Sequence, residues 1–273
     1  MSWMITPQFK TQLLLDQYPG AAAAYSLRNL TIQSYAPVVR VRRSSDNTES
    51  DFTATQISDG TLVTWVGAGN NGFVQTWYDQ SGNGRHLAQI STVNQPQIVS
   101  NGSLLTEGAK ATILHSASAR WLFCDTSYSS AAHTVFNVVN VTGGGTARVL
   151  TVVYEQAVFR GGAGTNEAQV YGAGLVATQT ISNGWPRGTR YLFSTVFAHA
   201  DGDAFAYRNG SSIYSNTVGT GANATPSAYY LGGVSGGLEG FTGNVQELII
   251  YANNQTSNRT AIESNINAYY SIY

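Results

Sequence analysis

Two turn dipeptides, Asp201-Gly202 and Asn209-Gly210, stand on either side of the short run Ala204-Phe205-Ala206-Tyr207. Asn-Gly and Asp-Gly tolerate the positive φ angles that two-residue hairpin turns require. A β-branched or aromatic run held between two such turns reads as the middle strand of an antiparallel meander. A helix is excluded there, and a parallel crossover needs a longer connection than these turns supply.

The same rhythm extends through most of the 273 residues. Strands are predicted at 22–30, 38–42, 73–78, 133–141, 148–154, 191–198, 204–207 and 245–251, with glycine-rich loops at 143–145, 161–164 and 232–243. Charged residues make up only 11% of the chain while hydrophobic ones reach 42%, against roughly 25% charged in ordinary soluble domains. A surface solvated by hydroxyls and amides suits strands and tight turns. Many half-apolar strands bury their faces most simply by stacking sheet on sheet. The expected fold is therefore all-β, a two-layer antiparallel jelly-roll sandwich with short N- and C-terminal helices.

Thr6-Pro7 offers an N-cap followed by proline at the first helical position, and Tyr18-Pro19-Gly20 ends that segment. At the other end Ile262, Ile266, Tyr269 and Tyr270 recur at helical spacing after Thr256 or Ser257. The division expected is an N-terminal helical segment, 1–19, and a sandwich with its C-terminal helix, 20–273. The first segment holds Trp3, Phe9 and Leu13 among more apolar residues than one short stripe can bury. It is expected either to fold back on its own sandwich or to anchor the domain to a neighbouring subunit.

Net charge is −1, with no basic run beyond Arg40, Arg42 and Arg43. Nucleic-acid binding needs a phosphate-neutralising patch and is not expected. No run approaches the ~20 apolar residues of a membrane span, and residues 1–10 do not read as a signal peptide. The lone Cys124 excludes an internal disulfide framework. His86, His115, His133 and His199 show no metal-ligand spacing. No cofactor is expected, and the pattern admits only calcium, through Asp203 and backbone carbonyls.

The most distinctive stretch is Thr76-Trp77-Tyr78-Asp79-Gln80-Ser81-Gly82-Asn83-Gly84-Arg85-His86-Leu87, a strand running into a polar turn. Asp79 and Asn83 can accept bonds from following amides, and Gly82 and Gly84 permit left-handed conformations. Asp79 and His86 as an acid–base pair is the catalytic alternative to a structural loop; the structural loop is preferred. Arg42 and Arg43 are expected to pair with Asp46, Asp51 or Asp79 inside the fold. Glycosidase chemistry needs two carboxylates across a cleft, about 5–9.5 Å apart, and no apolar strand carries acids at alternate positions. Asp201-Gly202-Asp203 has the spacing but sits at a turn, and Glu155 and Glu167 are isolated. Trp185, in Ser182-Asn183-Gly184-Trp185-Pro186, is the candidate sugar platform, with Asp203 and Asn209 as polar glycan contacts. Trp65, Trp77 and Trp121 lie in apolar runs and read as core.

Residues 78–87, with Ala24-Tyr25-Ser26-Leu27-Arg28 and 40–47 ahead of them, resemble the catalytic domain of the arabinofuranosidase B family, in which a Tyr-Asp-Gln-Ser-Gly-Asn-Gly loop recurs. The same block resembles concanavalin A-like (laminin G-like) domains of bacteriophage tail and virion proteins. Phe205 to Gly210 and Gly243 to Tyr251 are similar to later elements of those lectin-like folds, so the likeness covers roughly 22–270. The arabinofuranosidase resemblance implies a catalytic Asp after a Gly-Gly pair. Counting back from Glu247 without gaps puts Gly236 there, with only Glu239 nearby. The reading that follows is a non-enzymatic bacteriophage virion protein, a tail component or capsid decoration. It would contact other virion subunits or its own copies, and a cell-surface glycan. The alternatives are a glycoside hydrolase of arabinofuranosidase type and a separate carbohydrate-binding module.

Overall fold

A computed structural model of the chain describes residues 12–32, 36–116, 120–126, 132–143, 150–152, 158–161, 168–171, 179–198, 203–217, 228–233 and 240–273. Every strand pairing within them is antiparallel, and the sandwich expected from the sequence is present.

Its two layers belong to one continuous sheet. One end begins with Leu150–Val152, followed by Tyr229–Leu231, Leu122–Cys124, Leu87–Ala88 and Gly72–Trp77. Gln97–Ser100 and Ile113–His115 carry the hydrogen bonding around a corner to Thr242–Tyr251. The second layer continues through Ala132–Gly143, Tyr191–Ala198, Asp203–Arg208 and Ser211–Thr217. In the meander that opened the sequence reading, Asn209 (φ 52) and Gly210 (φ 78) both hold positive φ, while Asp201-Gly202 lies outside the described residues. Val39–Arg43 pairs with both Gly72–Trp77 and Glu49–Phe52, and Ala21–Ser26 pairs with Thr242–Tyr251.

Alternation along the strands sorts side chains into two cores. Between the layers, Val74, Trp77, Leu122, Tyr229 and Leu231 face Val135, Phe193, Leu248 and Ile250. On the outer face of the second layer, Phe136, Val138, Ile249 and Tyr251 are covered by Leu14, Leu15, Ile262, Ile266 and Tyr270. Each such side chain, fully buried, stabilises by about 1.5–3 kcal/mol. The covering helices are Leu14–Gln17 and Arg259–Tyr270. Leu13 is half-buried and precedes the first helix, its amide donating to Asp16 at 3.0 Å. Trp3 and Phe9 lie outside the described residues.

Thr242–Tyr251 holds the device that separates these two faces. Val138 pairs with Glu247 but Val139 with Val245, so Gln246 is an extra residue in the ladder. That β-bulge shifts the alternation by one. Val245, Leu248 and Ile250 point between the layers, and Glu247 turns toward the helix side.

Two short helices, Ala54–Ser58 and Thr61–Val66, are additions to the sequence expectation. The first is fixed by a reciprocal cap: Gln56 N donates to Thr53 at 3.2 Å and Thr53 N donates to Gln56 at 2.9 Å. No helix among the described residues is long and apolar enough to cross a membrane.

Candidate functional site

The polar turn after Gly72–Trp77 clamps the first strand. Asp79 accepts amide protons from Ala24 (2.8 Å), Ser81 (2.9 Å) and Arg85 (3.1 Å), and the Ser81 hydroxyl proton at 2.8 Å. Asn83 Nδ2 donates to the carbonyls of Ala21 and Ala22 at 2.9 and 3.1 Å. Gly82 (φ 87) and Gly84 (φ 69) supply the left-handed positions. His86 Nδ1 accepts from the Asp79 amide at 3.1 Å, so the imidazole meets the backbone there and not the carboxylate.

Arg43 pairs with Asp46 at 2.6 Å, and Arg40 with Asp51 at 2.8 Å. Arg42 takes amides where a carboxylate was expected: it donates to Gln95 and Asn47, each at 2.7 Å, and its guanidinium lies 4.8 Å from the Phe73 ring centre.

Trp185 is corrected by the structure. Only 2% of it is exposed, and its indole lies 4.5 Å from the Phe193 ring. Arg208 reaches across to the Asn183 carbonyl at 2.7 Å, tying the loop to the meander and folding the indole inward. Asn209 accepts the Leu192 amide proton at 3.0 Å through its side chain, and Asp203 opens the strand Asp203–Arg208, paired with Ala198 and Thr217. Trp185, Asp203 and Asn209 are therefore not brought together as one open sugar surface. Among the described residues no three His, Cys, Asp or Glu side chains cluster.

An aromatic surface does occur, where the sequence suggested core. On Leu122–Cys124 and Tyr229–Leu231 the residues Leu122, Cys124, Tyr229 and Leu231 are buried inward. Alternation sends Phe123 and Tyr230 to the outer face, where the ladder pairs them directly. Their rings lie 6.0 Å apart and 23° from parallel, and Trp121 meets each at 5.5 Å. All three are half-buried. Trp121 is pinned by backbone bonds: its amide donates to Asn94 O at 3.1 Å and its carbonyl accepts from Gln89 at 3.1 Å. Ile90 and Val93 stand exposed in the segment leading to Asn94. The signal that could have revealed Trp121 was its odd–even relation to Leu122 and Cys124.

The carboxylates of the described residues are mostly committed. Asp16, Asp59 and Asp79 hold backbone amides. Asp46, Asp51, Glu247 and Glu263 pair with arginines, and Glu107 accepts from Asn140 and Asn244. Glu155, Glu167, Asp201, Gly236 and Glu239 lie outside the described residues.

No protein-family model matches the chain, and no curated protein sequence matches it. Solved structures do. A GH54 α-L-arabinofuranosidase soaked with a cyclic sulfate inhibitor aligns with 90% of this chain at a TM-score of 0.62 and 15% identity. An arabinofuranosidase complexed with arabinofuranosyl-alpha-1,2-xylobiose aligns over the same share at 0.58 and 13%. The Trypanosoma rangeli sialidase in complex with sialic acid aligns over 70% at 0.51 and 17%. The chain spans 62% of each arabinofuranosidase and 31% of the sialidase. At these identities the likeness establishes the sandwich fold.

The expectation of a non-enzymatic module is corrected by this finding: the arabinofuranosidases and the sialidase to which the chain is similar in fold are glycoside hydrolases. That expectation rested on a gapless count from Glu247 to Gly236.

Proposed function

We propose that this chain is a glycan-directed domain of glycoside-hydrolase type, acting on arabinofuranosyl-bearing or related cell-surface polysaccharide, and carried on a bacteriophage particle as a tail or capsid-decoration component. The observation that carries the glycan reading is the Trp121–Phe123–Tyr230 surface on a sandwich that solved glycosidases share. Ring faces that are part-exposed and rigidly held offer apolar contact to a sugar ring at little entropic cost. The virion setting is supported by the resemblance of the 78–87 block to phage lectin-like domains.

Hydrolysis of a glycosidic bond takes one carboxylic acid to protonate the leaving oxygen and one carboxylate to attack or to activate water. With most described carboxylates held by structural partners, the pair is sought among the remaining acids, beginning with Glu155, Glu167, Asp201 and Glu239. The test is turnover of an aryl α-L-arabinofuranoside and sugar release from arabinan and arabinoxylan, with each of the four changed singly to its amide. Loss of about 10²–10⁴-fold in one or two variants that still fold supports the reading. A folded wild-type chain that neither cleaves nor binds any polysaccharide in the panel overturns it. Antibody labelling of intact particles tests the virion placement separately.

A further inference from the structure

A cavity of about 360 Å³ lies apart from the aromatic surface and shares no residue with it. It is assembled from four distant parts of the chain: the residues after the first strand, the helix Ala54–Ser58, the 104–111 segment, and the C-terminal helix. Its volume falls at the small end of ligand sites, about 300–1,000 Å³, which suits one sugar ring. Leu27 and Ile57 give it an apolar floor, both nearly inaccessible. Asn29, Thr55 and Ser58 offer an amide and two hydroxyls.

The charge of this cavity is unbalanced. Arg28 is matched already: Nε donates to Glu247 Oε2 at 2.8 Å and Nη2 to Oε1 at 2.9 Å, with Asn265 completing the fork at 3.2 Å. Burial lowers the tendency of Arg28 to hold its proton, and the Glu247 carboxylate more than reverses that, so it stays charged. Lys110 is different. Its ammonium stands 4.2 Å from the centre of the Tyr269 ring and has no carboxylate partner among the described residues. The same ring lies 4.8 Å from the Arg28 guanidinium carbon. Two cations thus flank one part-exposed tyrosine, only one of them is neutralised, and among the described residues no carboxylate lines the cavity.

We propose that this cavity binds a sugar bearing a single carboxylate, a hexuronate. Lys110, held against the Tyr269 ring, meets the carboxylate, and the hydroxyl and amide groups of Thr55, Ser58 and Asn29 meet the ring hydroxyls. A charge-assisted bond from an otherwise unpaired ammonium is stronger than one between neutral groups, so the acid is preferred over the neutral sugar of the same size. The chemistry is common to a free uronate and to a uronate residue within a polysaccharide.

The experiment titrates the intact chain with sodium glucuronate, sodium galacturonate, an oligogalacturonate, glucose and acetate, followed by calorimetry and by NMR shifts. Saturable binding of at least one uronate is expected, tenfold or more tighter than glucose or acetate and weakened by added salt. Lys110→Met should weaken it tenfold or more, and Lys110→Arg should restore most of it. Ser58→Trp, on an exposed helical position, should abolish it by filling the cavity while the thermal midpoint stays within a few degrees. Trp121→Ala should leave uronate affinity unchanged, which separates this site from the proposed glycosidase surface. Tighter binding of the oligomer than the monomer assigns a polysaccharide source, and the reverse a free sugar; both support the site. Equal affinity for glucose or acetate, or unaltered binding in Lys110→Met, overturns the proposal.

Discussion

The Asp79 carboxylate accepts the amide proton of Ala24 at 2.8 Å, joining two segments 55 residues apart through a side chain that is 9% exposed. The same group receives two further amides and a hydroxyl, all from its own turn. Asp79→Asn preserves one acceptor oxygen but turns a donor toward the Arg85 amide. A loss of about 1–3 kcal/mol is expected, measured as a lowered urea midpoint at unchanged slope.

Arg28 and Glu247 form a bidentate pair whose side chains are 10% and 1% exposed. Ser26 and Tyr270 add bonds to the same carboxylate at 2.7 and 3.2 Å. Removing one member strands the other's charge or polar partners, so Glu247→Gln is expected to cost about 3–5 kcal/mol. Changing Arg28→Met and Glu247→Leu together should cost less than the two single changes summed. A double-mutant cycle in denaturant reads this directly, and strict additivity would show the pair to be uncoupled.

His115 is completely buried, stacked on Phe241 at 5.2 Å, with Nδ1 2.9 Å from the Arg120 carbonyl. Nε2 has no partner among the described residues, which suits a neutral ring donating from Nδ1. Burial pushes the imidazole down to about 4, against a partial offset from that carbonyl. The unfolded chain, with its histidine near 6.5, therefore binds this proton first as pH falls. Stability from His115 is complete above about pH 6.5 and is lost progressively toward pH 4, by roughly 3 kcal/mol. Thermal midpoints across that window should fall for the wild type and fall less steeply for His115→Gln.

Trp121 and Tyr230 are expected to carry most of the polysaccharide affinity. Truncating a central aromatic contact of this kind typically costs about 2 kcal/mol or more, close to thirtyfold in Kd. Trp121→Ala and Tyr230→Ala should each weaken retention in affinity electrophoresis through arabinan by about that factor. Trp185→Ala should lower stability, since its indole belongs to the core. Unchanged retention in both surface variants would remove the aromatic platform from the account.

The parts of the fold that were legible in the sequence are those in which short-range chemistry and tertiary position agree. Tyr191–Ala198 and the Asn209-Gly210 turn follow from alternation and positive φ. The helix Thr61–Val66 did not, because Val63, Thr64, Trp65 and Val66 carry strand-like propensity. Only their packing against the inner core, with Leu62 fully buried, fixes the helix. Trp185 and Trp121 exchanged places for a similar reason. A tryptophan beside Asn-Gly reads as exposed, and one beside Leu-Phe-Cys reads as buried, yet the cross-strand ladder and the Arg208 bridge decide otherwise. The hexuronate cavity was invisible because its walls come from residues 28, 55, 110 and 269, which no window of sequence joins.

The seam of the molecule also sets when it can fold during synthesis. Thr242–Tyr251 is hydrogen-bonded to Ala21–Ser26 and Ile113–His115 along one edge and to Ala132–Gly143 along the other. Everything that closes the sandwich waits on the strand that comes last in chain order among those described. A nascent chain stopped before residue 242 holds hairpins and a meander but no joined layers, and it exposes the apolar faces of Val135, Phe193 and Trp77. Folding of this domain is therefore a late event, governed by long-range pairing and slow for that reason. Holdase chaperones that cover strand faces should bind stalled chains ending at 240 and release those extended past 251.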